Sequence, residues 1–166
     1  AEHVVLNRLS RILTPLPIAL SSRTGLGLMN YASSKPGSSG HTFWTLSGGR
    51  EAVRYRPLFQ GYVLSFRMDD LVAYDPRVIL AANHIKLDVD GAEAEVLEGA
   101  AATVAGPTFK SLMMEVDPRA RDRLLARVAE LGLEVLKEFD AEDSTWRSPR
   151  AKTRGGLTYV LCGRRP

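Results

Sequence analysis

The residues AANHIKLDVDGAEAEVLEGAAATVAG, which run from Ala81 to Gly106, predict one strand, one tight turn and one helix. Ile85, Leu87 and Val89 are β-forming residues that alternate along the chain, as expected of a buried strand. A glycine then permits a sharp turn, and from Ala92 to Val104 the apolar residues recur at helical spacing. This order is the first half of a crossover unit in an α/β sheet.

A second set of side chains on the same strand is charged. Lys86, Asp88 and Asp90 alternate with the apolar residues and therefore share the opposite face of the predicted strand. Because burying such groups without partners is costly, they must either pair or line a cleft. One interpretation is a Lys86–Asp88 ion pair followed by an acidic helix start, in which the helix dipole favours Asp90 and Glu93. The other is a ligand cleft, since open α/β sheets bind ligands at the carboxyl ends of their strands.

Composition favours one ordinary domain spanning residues 1–166. The chain has 166 residues, 45% of them hydrophobic, which is enough for a single core. We recognise neither an apolar run long enough to span a membrane nor a signal peptide, and therefore expect a cytoplasmic protein. Nucleic-acid binding is not expected, because the net charge of +3 is mild and the basic C-terminal stretch has few aromatic residues. No metal site is expected either, since the three histidines lie far apart in sequence.

The segments on either side of the central unit predict further strands and helices. Downstream, the expected elements are a strand at 111–116, a helix at 118–133, a strand at 134–139 and a strand at 156–163 that buries Cys162. Upstream, they are the end of a helix at 1–9, short strands at 17–20 and 26–30, a strand or hairpin at 53–67 and a helix start at 68–72. Residues 31–50 are rich in serine, glycine and proline, which predicts a flexible loop or lid. The order from residue 81 onward is typical of a mostly parallel sheet that closes with an antiparallel pair.

The run IKLDVDGAE, from Ile85 to Glu93, resembles the signature of the FkbM family of S-adenosylmethionine-dependent methyltransferases. That signature reads Ile-Lys-x-Asp-Val-Glu-Gly-Ala-Glu, so Asp90 stands where the family usually has glutamate. Weaker matches follow the family's order and cover most of the chain from Leu6 to Gly163. They are Pro17–Ser21 with Thr24 and Gly25 for the third strand and its turn, Met68–Leu71 for a short helix, Val96–Gly99, and Met114–Val116 for the following strand.

The resemblance implies a Rossmann-like class I methyltransferase sheet, mostly parallel with a closing antiparallel strand pair. It also implies O-methylation of a hydroxyl on a sugar, polyketide or similar small molecule. Asp88 or Asp90 would be the base or the group that orients the hydroxyl, and Lys86 would act on that carboxylate through its charge. Glu93 would accept a hydrogen bond from the substrate or simply occupy the helix start.

By the same resemblance, Leu20 and Ser21 would lie near the adenine of S-adenosylmethionine, and Asp88 would also contact the cofactor. Glu115 occupies the same relative place on the next strand and is a further candidate. The loop at 31–50 would close over the acceptor, with His41, Phe43 or Trp44 touching it, although a simple solvent loop fits the composition equally well.

One part of the family pattern is missing. The glycine-rich cofactor loop and the first two strands of the sheet do not occur in the 166 residues, and Gly25-Leu26-Gly27 is not expected to replace them. In the family's order, these strands lie between the strand at Pro17 and the strand at Ile85, and unpaired central edges are costly. We therefore expect a fragment of a longer enzyme, in preference to a second chain or homo-oligomer that completes the sheet or to a rearranged N-terminal part.

Three functions remain open from the sequence. The first is a methyltransferase fragment that is inactive alone. The second is a non-catalytic remnant domain used for binding or oligomerisation. The third is a nucleotide-binding enzyme of other chemistry, since a Rossmann-like fold does not fix function.

Overall fold

A computed structural model describes residues 2–38, 40–45, 56–74, 82–140 and 158–164. They form an α/β structure whose strands belong to two four-stranded sheets. The helices are α1 (Glu2–Leu6), α2 (Met68–Tyr74), α3 (Glu93–Gly99), α4 (Ala101–Ala105) and α5 (Arg121–Glu130). The strands are β1 (Ala19–Leu20), β2 (Gly25–Tyr31), β3 (Thr42–Thr45), β4 (Phe59–Phe66), β5 (His84–Leu87), β6 (Ser111–Val116), β7 (Glu134–Asp140) and β8 (Thr158–Gly163).

The first sheet has the strand order β1-β4-β2-β3. Its centre is the antiparallel pair of β2 and β4, and β3 returns antiparallel beside β2. The two-residue β1 pairs parallel with the end of β4, where Ala19 lies opposite Ser65 and Leu20 opposite Phe66. The chain upstream of β1 contains Pro15 and Pro17, which carry no N–H to donate and so do not favour a longer parallel ladder.

The second sheet has the strand order β5-β6-β8-β7. The pair β5 and β6 is parallel, while β8 runs antiparallel to both β6 and β7. The predicted α/β class and the closing antiparallel pair are therefore confirmed. The expected mostly parallel sheet is not, because only one of the three strand pairings in each sheet is parallel.

The hydrophobic core lies on one face of the second sheet. Alternate residues of its strands are buried there against apolar residues of α3, α4 and α5. The buried strand residues are Leu87, Leu112, Met114, Val116, Val160 and Cys162, and the helices contribute Val96, Leu97, Val104, Leu124 and Val128. Cys162 is the core residue predicted from its apolar neighbours, and burial raises the pKa of its thiol to about 11.

Two predicted segments differ from the structure by more than the positions of their ends. The segment 31–50, expected to be one loop or lid, contains the strand β3, while residues 46–50 lie outside the described residues. The helix expected from Ala92 to Val104 is divided at Ala100, whose φ of −108° and ψ of 10° separate α3 from α4. The Gly25-Leu26-Gly27 run lies within β2, as expected of a segment that is not a cofactor loop.

The break between α3 and α4 is stabilised by a carboxylate from another helix. Asp69 of α2 accepts hydrogen bonds from the backbone N–H of Ala102 at 3.0 Å and of Thr103 at 2.8 Å. It also accepts one from the Thr103 hydroxyl at 2.8 Å. These donors lie in the first turn of α4, where N–H groups lack helical partners. Asp69 thus acts as the N-terminal cap that the local sequence, with alanine at the cap position, does not supply.

Removing this cap should destabilise the protein. We expect Asp69→Ala to lower the free energy of unfolding by about 1–2 kcal/mol, because two backbone donors lose a charged acceptor. Asp69→Asn, which keeps one acceptor oxygen, should lose less. Urea unfolding of the two variants beside the wild type measures both values, and equal stability of Asp69→Ala and the wild type would contradict the capping role.

None of the helices in the described part of the chain is long and apolar enough to cross a membrane.

Candidate functional site

The turn between β5 and α3 carries the charged residues that the sequence singled out. Lys86 lies on β5 and Asp88 directly follows the strand, and the Lys86 Nζ lies 3.1 Å from the Asp88 Oδ2. The two side chains are 62% and 41% exposed, so this is a surface ion pair. Such pairs contribute about 0–1 kcal/mol to stability. The pair is the one proposed by the first of the two sequence interpretations.

Asp90 has left the strand and lies in the turn itself. Its φ of 51° is left-handed, a conformation that aspartate adopts more readily than most residues, and Gly91 follows with a φ of 110°. The expectation that Asp90 shares a strand face with Lys86 and Asp88 is therefore wrong, since β5 ends at Leu87. Instead, the Asp90 Oδ2 accepts a hydrogen bond at 3.0 Å from the N–H of Gly40, in the loop between β2 and β3.

Glu93 and Glu95 lie in the first turn of α3, where the helix dipole favours negative charge. Glu93 is buried, and its Oε1 accepts a hydrogen bond at 3.2 Å from the N–H of Gly91. Glu93 thus occupies the helix start, one of its two expected roles. The Glu95 Oε2 accepts a hydrogen bond at 3.2 Å from the Ser21 hydroxyl.

Leu20 and Ser21, which the resemblance assigns to the adenine, lie at the end of β1. Leu20 packs against the hydrophobic core, and Ser21 is 1% exposed. The Ser21 N–H donates to the carbonyl oxygen of Phe66, and its hydroxyl donates to Glu95. These two residues therefore make protein contacts that hold β1 against β4 and α3.

The outer face of the second sheet carries a row of polar groups beside Asp88. Glu115 on β6 lies directly opposite Tyr159 on β8, and Asp88 is close enough for its charge to act on Tyr159. The pKa of Tyr159 is raised, first by burial and then by the negative charges of Glu115 and Asp88, while Lys86 opposes the shift. Tyr159 therefore remains a protonated phenol, and a hydrogen-bond donor, to a higher pH than usual.

The structure thus brings several predicted residues together and separates others. Asp90 and Glu93 lie at the start of α3, where Ser21 contacts Glu95, whereas Lys86 and Asp88 form an exposed ion pair. Sequence reasoning missed Glu95 and Tyr159. Glu95 lies on the predicted helix without any local signal for its contact with Ser21, and the partners of Tyr159 depend on strand pairing. His41 and Phe43 belong to the β2–β3 hairpin, and the side chain of Trp44 is outside the described residues.

This arrangement can bind hydroxyl groups. Asp88 offers carboxylate oxygens at the surface, Tyr159 offers a phenol, and Lys86 offers a cation within 3.1 Å of Asp88. In the described ranges, no group of three or more His, Cys, Asp or Glu residues has a geometry that could hold a metal ion.

The described residues do not by themselves fit S-adenosylmethionine. Ser21 is enclosed and its hydroxyl is used by Glu95, and the 166 residues contain no glycine-rich loop of the family type. No family model, curated protein or solved structure matches the chain.

Proposed function

We propose that the chain is part of an S-adenosylmethionine-dependent O-methyltransferase of the FkbM type, and that it contributes the acceptor side of the active site. The observation that carries the proposal is the IKLDVDGAE run, whose strand, turn and helix start coincide with β5, the Asp90–Gly91 turn and α3. The acceptor would be a hydroxyl of a sugar, a polyketide or a similar small molecule.

The arrangement of the strands supports the same proposal. In the described part of the chain, β1 ends the first sheet and β5 ends the second. In the family's order, two further strands lie between β1 and β5. Those two strands are the ones absent from the 166 residues. The remaining strands of the second sheet close with the antiparallel pair of β7 and β8, as the resemblance implies.

The proposal gives each charged residue a limited role. The cofactor, when bound by the completed protein, supplies the methyl group. Asp88 would accept a hydrogen bond from the acceptor hydroxyl and take its proton, because a carboxylate at the mouth of a strand is reachable by substrate. Lys86 would hold Asp88 in place, and Asp90 would contact a second hydroxyl. Glu93 is engaged with Gly91 and would fix the shape of the turn.

Transfer of a labelled methyl group tests this function. The protein is supplied with S-adenosylmethionine labelled on the methyl group and with a panel of sugars and polyketides that carry free hydroxyls. The 166-residue chain alone should transfer no label, because it has no complete cofactor site. The product of the full reading frame that encodes it, or a complex with the chain that completes the sheet, should transfer label to at least one acceptor.

A binding or oligomerisation module is the second candidate, and one observation favours it. Leu26 on β2 and Leu64 on β4 are cross-strand partners, are 55% and 53% exposed and lie beside Tyr62, which is 69% exposed. Adjacent exposed apolar side chains are typical of interaction surfaces. Sedimentation would show a stable oligomer that Leu64→Glu dissociates. If, in addition, the completed protein transfers no label, a binding or oligomerisation module describes the function better than a methyltransferase does.

A further inference from the structure

The loop between β2 and β3 reaches the candidate site and is held in a defined shape. We define the hairpin loop as its described residues, 32–38 and 40–41. The N–H of Ala32 donates to the Nδ1 of His41 at 3.1 Å, and the Nε2 of His41 lies 3.2 Å from the Ser38 hydroxyl. Because Nδ1 accepts, a neutral ring carries its hydrogen on Nε2 and donates to Ser38. One side chain therefore ties both ends and the middle of the hairpin loop together.

The base of the hairpin loop is fixed by aromatic contacts. The ring of His41 lies 5.2 Å from the ring of Tyr31, and Tyr31 stacks on Phe59 of β4 at 4.3 Å. Both distances are within the range of favourable aromatic pairs. The hairpin loop thus extends from the first sheet as an ordered segment.

The C-terminal end of this segment contacts Asp90. Gly40, which has a φ of 82°, precedes His41 in the chain and donates its N–H to the Asp90 Oδ2 at 3.0 Å. Hydrogen bonds to a charged acceptor are stronger than those between neutral groups. The first turn of α3 is itself fixed by Glu93 and Ser21, so this hydrogen bond joins the ordered hairpin loop to the turn before α3.

We propose that the hairpin loop is a strap latched on Asp90, in which the Gly40 N–H occupies this half-buried carboxylate until a ligand hydroxyl replaces it. The proposal rests on the proposed function in assigning Asp90 to the acceptor side. A ligand that uses Asp90 must then compete with the strap, so the closed state weakens apparent ligand affinity in proportion to its population. Residues that shape the strap, His41 above all, control access to the site through Gly40.

Carboxyl labelling of the 166-residue chain tests the latch without any methyl transfer. A water-soluble carbodiimide couples exposed carboxylates to glycine ethyl ester, and mass spectrometry gives the rate at each residue. Asp88, which is 41% exposed, is the internal reference. His41→Phe keeps an aromatic ring beside Tyr31 but loses both hydrogen bonds, so Asp90 should be labelled about tenfold faster while Asp88 is unchanged. Ser34→Ala, at an exposed position in the same loop, is the control and should match the wild type.

Hydrogen exchange on Asp90 variants tests the same contact from the other side. Asp90→Gly tolerates the left-handed φ but removes the acceptor, so amides of residues 32–38, 40 and 41 should exchange faster. Asp90→Asn keeps an acceptor oxygen and should remain close to the wild type. Unchanged protection of β6 shows that the variant is folded. Wild-type labelling of Asp90 at the Asp88 rate, or equal exchange of the strap in Asp90→Gly and Asp90→Asn, would overturn the proposal. Either result is independent of whether the completed protein transfers methyl groups.

Discussion

Gly99→Ala is expected to lower the free energy of unfolding by about 2–4 kcal/mol, because overpacking against backbone cannot be relieved by a change of rotamer. A Cβ on Gly99 would lie 2.0 Å from the carbonyl oxygen of Ser21 and 3.3 Å from the Cα of Arg67. Ser21 directly follows β1 and Arg67 directly follows β4, so both are backbone atoms at the end of paired strands of the first sheet. The substitution therefore forces the first sheet away from α3.

A second glycine provides the matched control for that experiment. A Cβ on Gly61 would lie 3.5 Å from the ring of Tyr31, an ordinary contact, so Gly61→Ala adds the same methyl group without a clash. It should be neutral or slightly stabilising. Urea unfolding of both variants measures the difference, and equal midpoints for Gly99→Ala and Gly61→Ala would show that α3 and the end of β1 are not in contact.

Under the proposed function, Asp88→Asn is expected to reduce methyl transfer by the completed protein by about 100-fold or more, since general bases contribute roughly 10²–10⁴ to a rate. Stability should change by less than about 1 kcal/mol, because the ion pair with Lys86 is exposed. Labelled methyl transfer and thermal unfolding on the same preparation separate the two effects.

Asp117→Asn is the control for this measurement. Asp117 also follows a strand of the second sheet, but its Oδ1 accepts a hydrogen bond from the N–H of Arg119 in the next turn. Its replacement should leave turnover within a fewfold of the wild type. A variant at Asp88 that lost stability while keeping its rate would assign this residue a structural role.

Much of the second sheet could be predicted because its signals are local. The strand β6 has the predicted bounds, and alternation identified its buried face. The turn after β5 was recognisable from Gly91, which has the positive φ that only glycine adopts easily. Even here, the predicted position of Asp90 on the strand face is wrong, because β5 ends at Leu87 while the alternation of charged residues continues to Asp90.

The elements that could not be predicted depend on contacts between distant segments. The division of the helix at Ala100 follows from the close approach of Ser21 to Gly99 and from the cap supplied by Asp69. Ser21 and Asp69 are both distant in sequence from Ala100. The apolar residues keep their helical spacing through the break, so the sequence alone predicts one continuous helix. The pairing of Glu115 with Tyr159 likewise depends on strand order rather than on local composition.

The burial of Ser21 changes what is expected of the isolated chain. The Ser21 hydroxyl donates a hydrogen bond to Glu95, and the Ser21 N–H donates one to the carbonyl of Phe66. The hydroxyl proposed to lie near the adenine is therefore already used within the protein. Under the proposed function, we therefore expect the main cofactor contacts to come from further polypeptide that includes a glycine-rich loop.

Calorimetric titration with S-adenosylmethionine tests the assignment most directly. We expect millimolar or weaker binding by the 166-residue chain. Binding should be at least about 100-fold tighter, or about 2.7 kcal/mol, once a polypeptide that supplies the loop and two strands is present. Micromolar binding by the chain alone, or no binding by the completed protein, would contradict the assignment.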